Sequence, residues 1–394
     1  MQVLALHRNL SSTSTKPPDE NPAVFFRLWK FAGARLVVLA NFAQKYKFPI
    51  RATILPQFAL LFPITLTSGE CSMSTLRFLR TGMMAAAVAC LFVSHGASAT
   101  APEAKTNPPG FYRVMVGDIE VTALNDGTTT LPADKLLSDA KPADLKKALD
   151  RAYLTSPIET SFNGFLVNTG GKLVLIDTGA GHFFGPTLGK LADSLKAAGY
   201  QPEQVDEIYI THFHSDHIGG LVDGDKAVFP NAILRADKHE SDFWLSKANM
   251  EKASADRKDS FVHAQAALKP YIDAGHFKPI ESDGELVPGV LSHATFGHTP
   301  GHTSYVVESK GQKLMVWGDL IHVAAYQLGH PDAKMMFDSD SNAGMAQRKK
   351  EYAAAAKDGY LVAGAHISFP GIGHVRADGT GYDWVPVNFS IVNK

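Results

Sequence analysis

The stretch Thr211-His212-Phe213-His214-Ser215-Asp216-His217-Ile218-Gly219-Gly220 decides how this chain reads. It follows the apolar run Ile208-Tyr209-Ile210, which has the character of a buried strand ending at a turn. Residues two apart on an extended strand face the same side, so His212 and His214 can grip one ion. The turn beyond them carries Asp216 and His217 slightly away, toward a second. Imidazole and carboxylate together suit zinc or another borderline divalent metal, and no thiolate competes for the role. A His-rich surface loop is the plain alternative. It leaves unexplained why four ligand-type side chains sit between an apolar strand and a Gly-Gly turn.

Two ions need more than four ligands, and other stretches end the same way. Leu173-Val174-Leu175-Ile176-Asp177-Thr178-Gly179 is an apolar strand that ends on a carboxylate, as does Lys313-Leu314-Met315-Val316-Trp317-Gly318-Asp319. Leu361-Val362-Ala363-Gly364-Ala365-His366 ends on an imidazole. Between them, Ala294 to His302 is a loop bounded by glycine and proline that carries His298 and His302, just before the β-like run Tyr305 to Val307. Any one of these alone is ordinary turn or core chemistry. Their order is not.

In that order the chain resembles the metallo-β-lactamase superfamily. The resemblance implies an α+β fold, a four-layer αβ/βα sandwich with a dinuclear metal site at the sheet edge. It also implies two divalent ions per subunit, zinc foremost with manganese, cobalt or iron as alternatives, and a homodimer. Carried over position by position, it makes His212, His214 and His298 ligands of the first ion and Asp216, His217 and His366 ligands of the second. Asp319 bridges them. Asp177 and His302 become supporting residues that orient ligands. Asp216 and Asp319 are the implied catalytic groups, Asp216 taking a proton as a tetrahedral intermediate collapses.

From about Gly110 onward the chain is similar to the methyl parathion hydrolase branch. Gly297-His298-Thr299-Pro300-Gly301-His302-Thr303-Ser304-Tyr305-Val306-Val307-Glu308-Ser309 carries that likeness, with Ser368 to His374 and Val385 to Asn388. It implies hydrolysis of aryl esters and of lactones such as dihydrocoumarin, together with phosphotriesters of the methyl parathion type. A dedicated phosphotriesterase and an N-acyl homoserine lactonase are the alternatives. An iron thiol-oxidising enzyme of the same fold is more distant, because both ligand sets are complete. The implied substrate pocket has Phe184, Trp244 and Phe261 on one side and His322 and Phe337 on the other, although core packing accounts equally well for each aromatic. The branch has leucines where this chain has His322 and Phe337. A bulkier pair crowds a dialkyl phosphate more than a flat lactone.

Composition sets outer limits. The chain has 394 residues, 45% of them hydrophobic, and a formal charge of −1, which suits an ordinary enzyme-sized fold. Near-neutral charge without a dense basic run argues against a nucleic-acid partner. His182, His239, His263, His276, His293, His330 and His374 have no motif around them and read as surface or hydrogen-bonded residues.

The first hundred residues differ in character. Residues 1–72 mix Ser/Thr/Pro stretches with apolar pieces broken by Pro56 and Pro63, and none is long enough to span a membrane. At Met73 a signal peptide begins. Arg77 and Arg80 form its basic region, Met83 to Val93 its apolar region, and Ala97-Ser98-Ala99 a small-residue cleavage site covering the end of 73–99. Residues 1–72 are therefore expected to be a spurious N-terminal extension, with the true start at Met73. The hydrolase domain is 100–394, periplasmic or secreted and free of the membrane after cleavage. Cys71 and Cys90 both precede the cleavage site, so the mature chain has no thiol.

Within the domain, Phe111 to Leu124 alternates like a strand pair. Lys141 to Leu154 reads as a helix with Leu145, Leu149 and Ala152 on one face and Pro142 in its first turn. Leu188, Leu191, Ala192 and Leu195 mark another, closed by Gly199. Residues 237–276 are helical, and Ser341 to Lys357 is a last helix ended at Gly359. Exported protein from a native host should begin near Thr100. Intact-mass measurement of that protein checks this, and retention of residues 1–72 would overturn it.

Overall fold

The apolar runs that end on ligand-type residues are strands with both faces buried. The structure, a computed structural model, describes residues 101 and 103–390. The extension 1–72, the signal peptide 73–99 and both cysteines lie outside the described residues. In chain order, β1 (Phe111–Val116), β2 (Ile119–Leu131), β3 (Ile158–Asn168), β4 (Leu173–Ile176) and β5 (Glu207–Tyr209) are followed by a short ribbon, β6 (Val222–Asp223) and β7 (Lys226–Ala227), and by β8 (Ile233–Arg235). The ribbon aside, they form a six-stranded sheet in the order β1-β2-β3-β4-β5-β8. The second sheet holds β9 (Gly284–Val287), β10 (Val290–Ala294), β11 (Thr303–Ser309), β12 (Gln312–Val316), β13 (Leu361–Ala363), β14 (Ile372–Asp378) and β15 (Gly381–Pro386), seven strands in sequential order.

Side chains alternate across a strand, and here alternate positions enter different cores. In β4, Val174 and Ile176 face the second sheet, where they meet Tyr305, Val307, Leu314 and Val316. Leu173 and Leu175 face outward into a core shared with helices. The second sheet repeats the pattern, Leu314 and Val316 pointing inward while Met315 packs with Trp317 and Tyr352 outside. Helix, sheet, sheet and helix make the four layers expected of the sandwich.

The helices are α1 (Ala133–Leu136), α2 (Pro142–Arg151), α3 (Leu191–Ala197), α4 (Ser215–Ile218), α5 (Lys238–Trp244), α6 (Lys247–Lys252), α7 (Ala255–Asp273), α8 (Ala324–Gln327) and α9 (Ser341–Asp358). Leu191 and Leu195 of α3 and Phe261, Leu268 and Tyr271 of α7 cover the first sheet. Tyr352 and Ala355 of α9 cover the second. α9 has clear ends. Asp340 Oδ1 accepts from Asn342 N and Ala343 N, each at 3.0 Å, and Gly359 takes φ 68° as the left-handed cap.

Several expected boundaries move. α2 stops at Arg151, so Ala152 is an exposed cap residue while Leu145 and Leu149 are buried. Leu188 precedes α3, although it is buried. The stretch 237–276 is three helices because Ser246, whose side chain accepts from Asn249 N, starts a new one and Ala253 ends it in an extended conformation. β13 ends at Ala363, which leaves His366 on the loop beyond.

That loop is tied to the first sheet by Asn163. Its backbone N donates to Ala365 O at 3.0 Å, and its Nδ2 donates to Gly364 O at 3.2 Å and Ile367 O at 2.8 Å. Replacing Asn163 with Ala leaves buried carbonyls without donors, at a cost of about 1–3 kcal/mol. Urea unfolding should show a lower midpoint with an unchanged slope. An unmoved midpoint would mean that these bonds contribute nothing net.

Candidate metal centre

Strand ends deliver the polar residues. β4 runs parallel to β5, and β12 parallel to β13, so each pair brings its C-terminal ends to one edge of its sheet. Asp177 follows β4, Thr211 to His217 follow β5, Asp319 follows β12 and His366 lies just beyond β13. The β10–β11 loop supplies His298 and His302. Bonds between the sheets hold these edges together: Tyr305 Oη donates to Ile210 O at 2.8 Å and Thr303 N to Thr211 O at 2.9 Å. Asp216 and His217 sit on α4, which turns them away from the direction of His212 and His214.

Two clusters result. His212, His214, His298 and Asp319 form one, and Asp216, His217, Asp319 and His366 the other; within each, one ligand atom per residue lies within 4.8 Å of the rest. Asp319 belongs to both because its two oxygens part company. Oδ2 is 3.3 Å from His298 Nε2 and 3.5 Å from His212 Nε2, while Oδ1 is 3.2 Å from His217 Nε2 and 3.1 Å from His366 Nε2. His214 turns Nδ1 inward, 3.0 Å from both His212 Nε2 and His298 Nε2.

These residues fit metal ions. A single ring N–H cannot satisfy three imidazole nitrogens that face one another, and the buried His217 Nε2 and Asp319 Oδ1 have no hydrogen-bond partner. A four-coordinate ion with bonds of about 2.0–2.1 Å spaces its ligands at about 3.3 Å. The observed separations lie around that value. Nitrogen and carboxylate donors without sulfur match zinc and its borderline neighbours.

Outer partners fix which nitrogen faces inward. Asp177, at φ 59°, accepts from Thr211 N through Oδ1 and from Thr211 Oγ1 through Oδ2, each at 2.8 Å, and its Oδ2 is also 2.8 Å from His217 Nδ1. His217 therefore turns Nε2 to the cluster. His212 Nδ1 lies 3.1 Å from Thr211 Oγ1, so Asp177 steadies that ring through the threonine as well. His302 works on the main chain: its Nε2 accepts from Asp319 N at 3.0 Å, and its Nδ1 is 3.2 Å from Thr295 O. Burial, reinforced by His298, pushes its pKa down to about 3, so the ring is neutral and can accept. Asp338 was not apparent from the sequence. It lies 2.8 Å from His298 Nδ1 and is itself approached by Arg348, but nothing local to its position signals the role.

Charge within the clusters is finely opposed. Burial works against protonated His298 and His366, yet Asp319 with Asp338 at the first, and Asp319 with Asp216 at the second, outweigh it and raise each to about 9. Burial also pushes the Asp319 carboxyl up, and His217, His366, His322 and His212 together hold it well below its ordinary value.

Of the expected pocket residues, His322 and Phe337 lie together with ring centroids 6.0 Å apart, and Trp244 and Phe261 form a second pair. Trp244 and Phe261 are buried in the core under the first sheet with their rings 4.7 Å apart, and Trp244 also meets the His214 ring edge-on at 5.6 Å. Phe184 and Phe337 are 49% and 38% exposed. His322 is buried, its ring stacked 5.1 Å from His366 and its Nε2 2.9 Å from Asp319 Oδ2. A cavity of about 850 Å³ is lined by His322 and His366 with Tyr326, Phe369 and Trp384, and the other four expected residues do not border it.

Comparison with known proteins agrees with this architecture. Residues 161–366, which hold every residue of both clusters, match the model of the metallo-beta-lactamase superfamily. The crystal structure of the hydrolase AbOPH in the beta lactamase superfamily is 36% identical, with a TM-score of 0.70, covering 73% of this chain and 100% of that one. AidC, a dizinc quorum-quenching lactonase solved with a product, is 30% identical with a TM-score of 0.67 and covers 72% of this chain and 99% of its own. An N-acyl homoserine lactonase of Bacillus sp is 33% identical over 122 residues, 31% of this chain, and the match spans only 40% of that enzyme. With the sandwich, the strand-end histidines and carboxylates and the family match in agreement, the chain belongs to the metallo-β-lactamase superfamily.

Proposed function

We propose that the protein is an exported dinuclear hydrolase of lactones and aryl esters, N-acyl homoserine lactones among them, within the methyl parathion hydrolase-like branch. The observation that carries this reading is the division of the two Asp319 oxygens between two imidazole-rich clusters. The likeness to AidC along nearly its whole length supports a lactone as substrate. The motifs at 297–309 and 368–374 support the branch, and with it phosphotriesters as a second substrate class.

His212, His214 and His298 would hold one divalent ion and Asp216, His217 and His366 the other, with Asp319 between them and zinc the foremost choice. Bound there, such ions lower the pKa of a water toward neutrality and polarise the oxygen of a carbonyl or phosphoryl group. The chain's own residues do the rest. Asp177 and Asp338 hold His217 and His298 in one tautomer, so no ring has to turn during turnover. His302 fixes the Asp319 backbone, and thereby the carboxylate that both clusters share. Asp216 is the most open of the clustered carboxylates, its side chain 14% exposed against 3% for Asp319, and is placed to carry a proton to the departing oxygen. Burial raises the Asp216 carboxyl, but His217 and His366 outweigh it and hold it well below the ordinary value, so it is ionised. Phenolates, and alkoxides that stay tethered within an opened lactone, are leaving groups that need little help from proton transfer.

A panel of lactones, aryl esters and phosphotriesters on metal-replete protein tests the assignment. Lactones and aryl esters should turn over and lose turnover on chelation; hydrolysis confined to phosphotriesters would replace this reading with a dedicated phosphotriesterase. Asp319→Ala should lower the content of both metals together and cut kcat by orders of magnitude, with circular dichroism unchanged. Two bound metals and near-wild-type rates in that variant would remove Asp319 from the bridging position.

A further inference from the structure

Glu240 on α5 is fully buried, and its carboxylate has no place in either cluster. Oε1 accepts from Phe213 N at 2.8 Å and from Trp244 Nε1 at 2.7 Å. Oε2 accepts from Thr299 Oγ1 at 2.7 Å and Gly301 N at 2.8 Å. Two donors on each oxygen satisfy the buried charge, and hydrogen bonds to a charged acceptor are among the stronger kind. The identity of those donors matters more than their number. Phe213 stands between His212 and His214, and Thr299 follows His298 directly. One carboxylate thus ties together the two loops that carry all three histidines of the first cluster, which are 84 residues apart at His214 and His298. The remaining donor is the indole whose ring meets His214 at 5.6 Å.

The backbone is fitted to this contact. A Cβ on Gly301 would come within 2.3 Å of Glu240 N and 2.7 Å of Glu240 Cβ, so only glycine lets the His298 loop lie against α5. Asp216, His217 and His366 receive no bond from Glu240. We infer that Glu240 is a positioning residue that sets the geometry of the His212, His214 and His298 cluster alone, by clamping its two loops and the Trp244 ring to one buried carboxylate. This rests on the reading of those three histidines as ligands of one ion.

Glu240→Gln keeps the shape but turns an NH2 group toward two donors. Metal-stripped protein titrated with Co(II), followed by visible absorption and by competition with a chelator, should separate the outcomes. Wild type should take up two equivalents. In Glu240→Gln one equivalent should weaken about 10- to 100-fold with a changed spectrum, while the other keeps its affinity. Leu195→Ala, a core truncation in α3, a helix that packs on β1 and β2, is the control for lost stability and should bind both equivalents as wild type does. Equal weakening of both equivalents, or none, in a folded Glu240→Gln protein would overturn the clamp. If that variant fails to fold, Thr299→Val removes one donor only and should give a smaller selective loss; an unchanged spectrum there overturns the clamp too. Failure of wild type to take up two equivalents would instead overturn the underlying metal reading.

Discussion

Everything in this molecule answers to the need to hold two buried carboxylate oxygens of a single residue, Asp319, against imidazoles from two directions. A charge that is removed from water is tolerated only when its partners are fixed in place. Parallel pairing of β4 with β5 and of β12 with β13 meets this requirement at the level of topology, because it sends the C-terminal strand ends of each sheet to one edge. Bonds from Tyr305 to Ile210, from Thr303 to Thr211 and from Asn163 to the His366 loop then join the two edges. The inner faces of both sheets are correspondingly apolar at Val174 and Ile176 of β4 and at Leu314 and Val316 of β12, since any slip in their packing would separate the halves of the centre.

A ring of outer groups makes the arrangement stiff. Asp177 acts on two histidines of the clusters, one directly and one through Thr211, while Asp338 acts on His298 and His302 on the Asp319 main chain. Each comes from a different segment, so the centre is braced from several sides of the fold. His322 is the exception. It is buried among His366, His298 and Asp319, and neither of its ring nitrogens makes a well-directed hydrogen bond. Burial lowers its pKa to about 4 against the pull of Asp319.

The strand-end residues were legible in the sequence because their signal is local, whereas the layered fold and the division into two clusters came from the family resemblance. A doubly buried strand writes a continuous apolar run, and a polar residue placed at its end falls within a few residues of that run, as at Asp177, His212 and Asp319. His366 was found the same way, although its strand stops three residues earlier. What escaped were groups whose role exists only across the fold. Asp338 sits 40 residues from His298, Asn163 some 200 from the loop it binds, and neither has a distinctive neighbourhood. Helix ends near Ala152, Leu188 and Ser246 moved for a related reason, since capping and tertiary packing, and not the apolar period alone, decide where a helix stops. The aromatics were legible as large apolar residues but not as wall or core: Trp244 and Phe261 are buried together, and Trp244 also meets the His214 ring.

One more property follows from the donor set itself. Every side chain in the two clusters is an imidazole or a carboxylate, and the chain's two cysteines fall at positions 71 and 90, well before residue 212 in sequence. Peroxide and disulfide exchange act on sulfur, and here they find no ligand to oxidise or trap. Soft ions such as Cu(I), which prefer thiolate, meet a site made of harder donors. Thiol oxidation therefore has nothing to act on within the two clusters, whose imidazoles bind metal only in competition with protons.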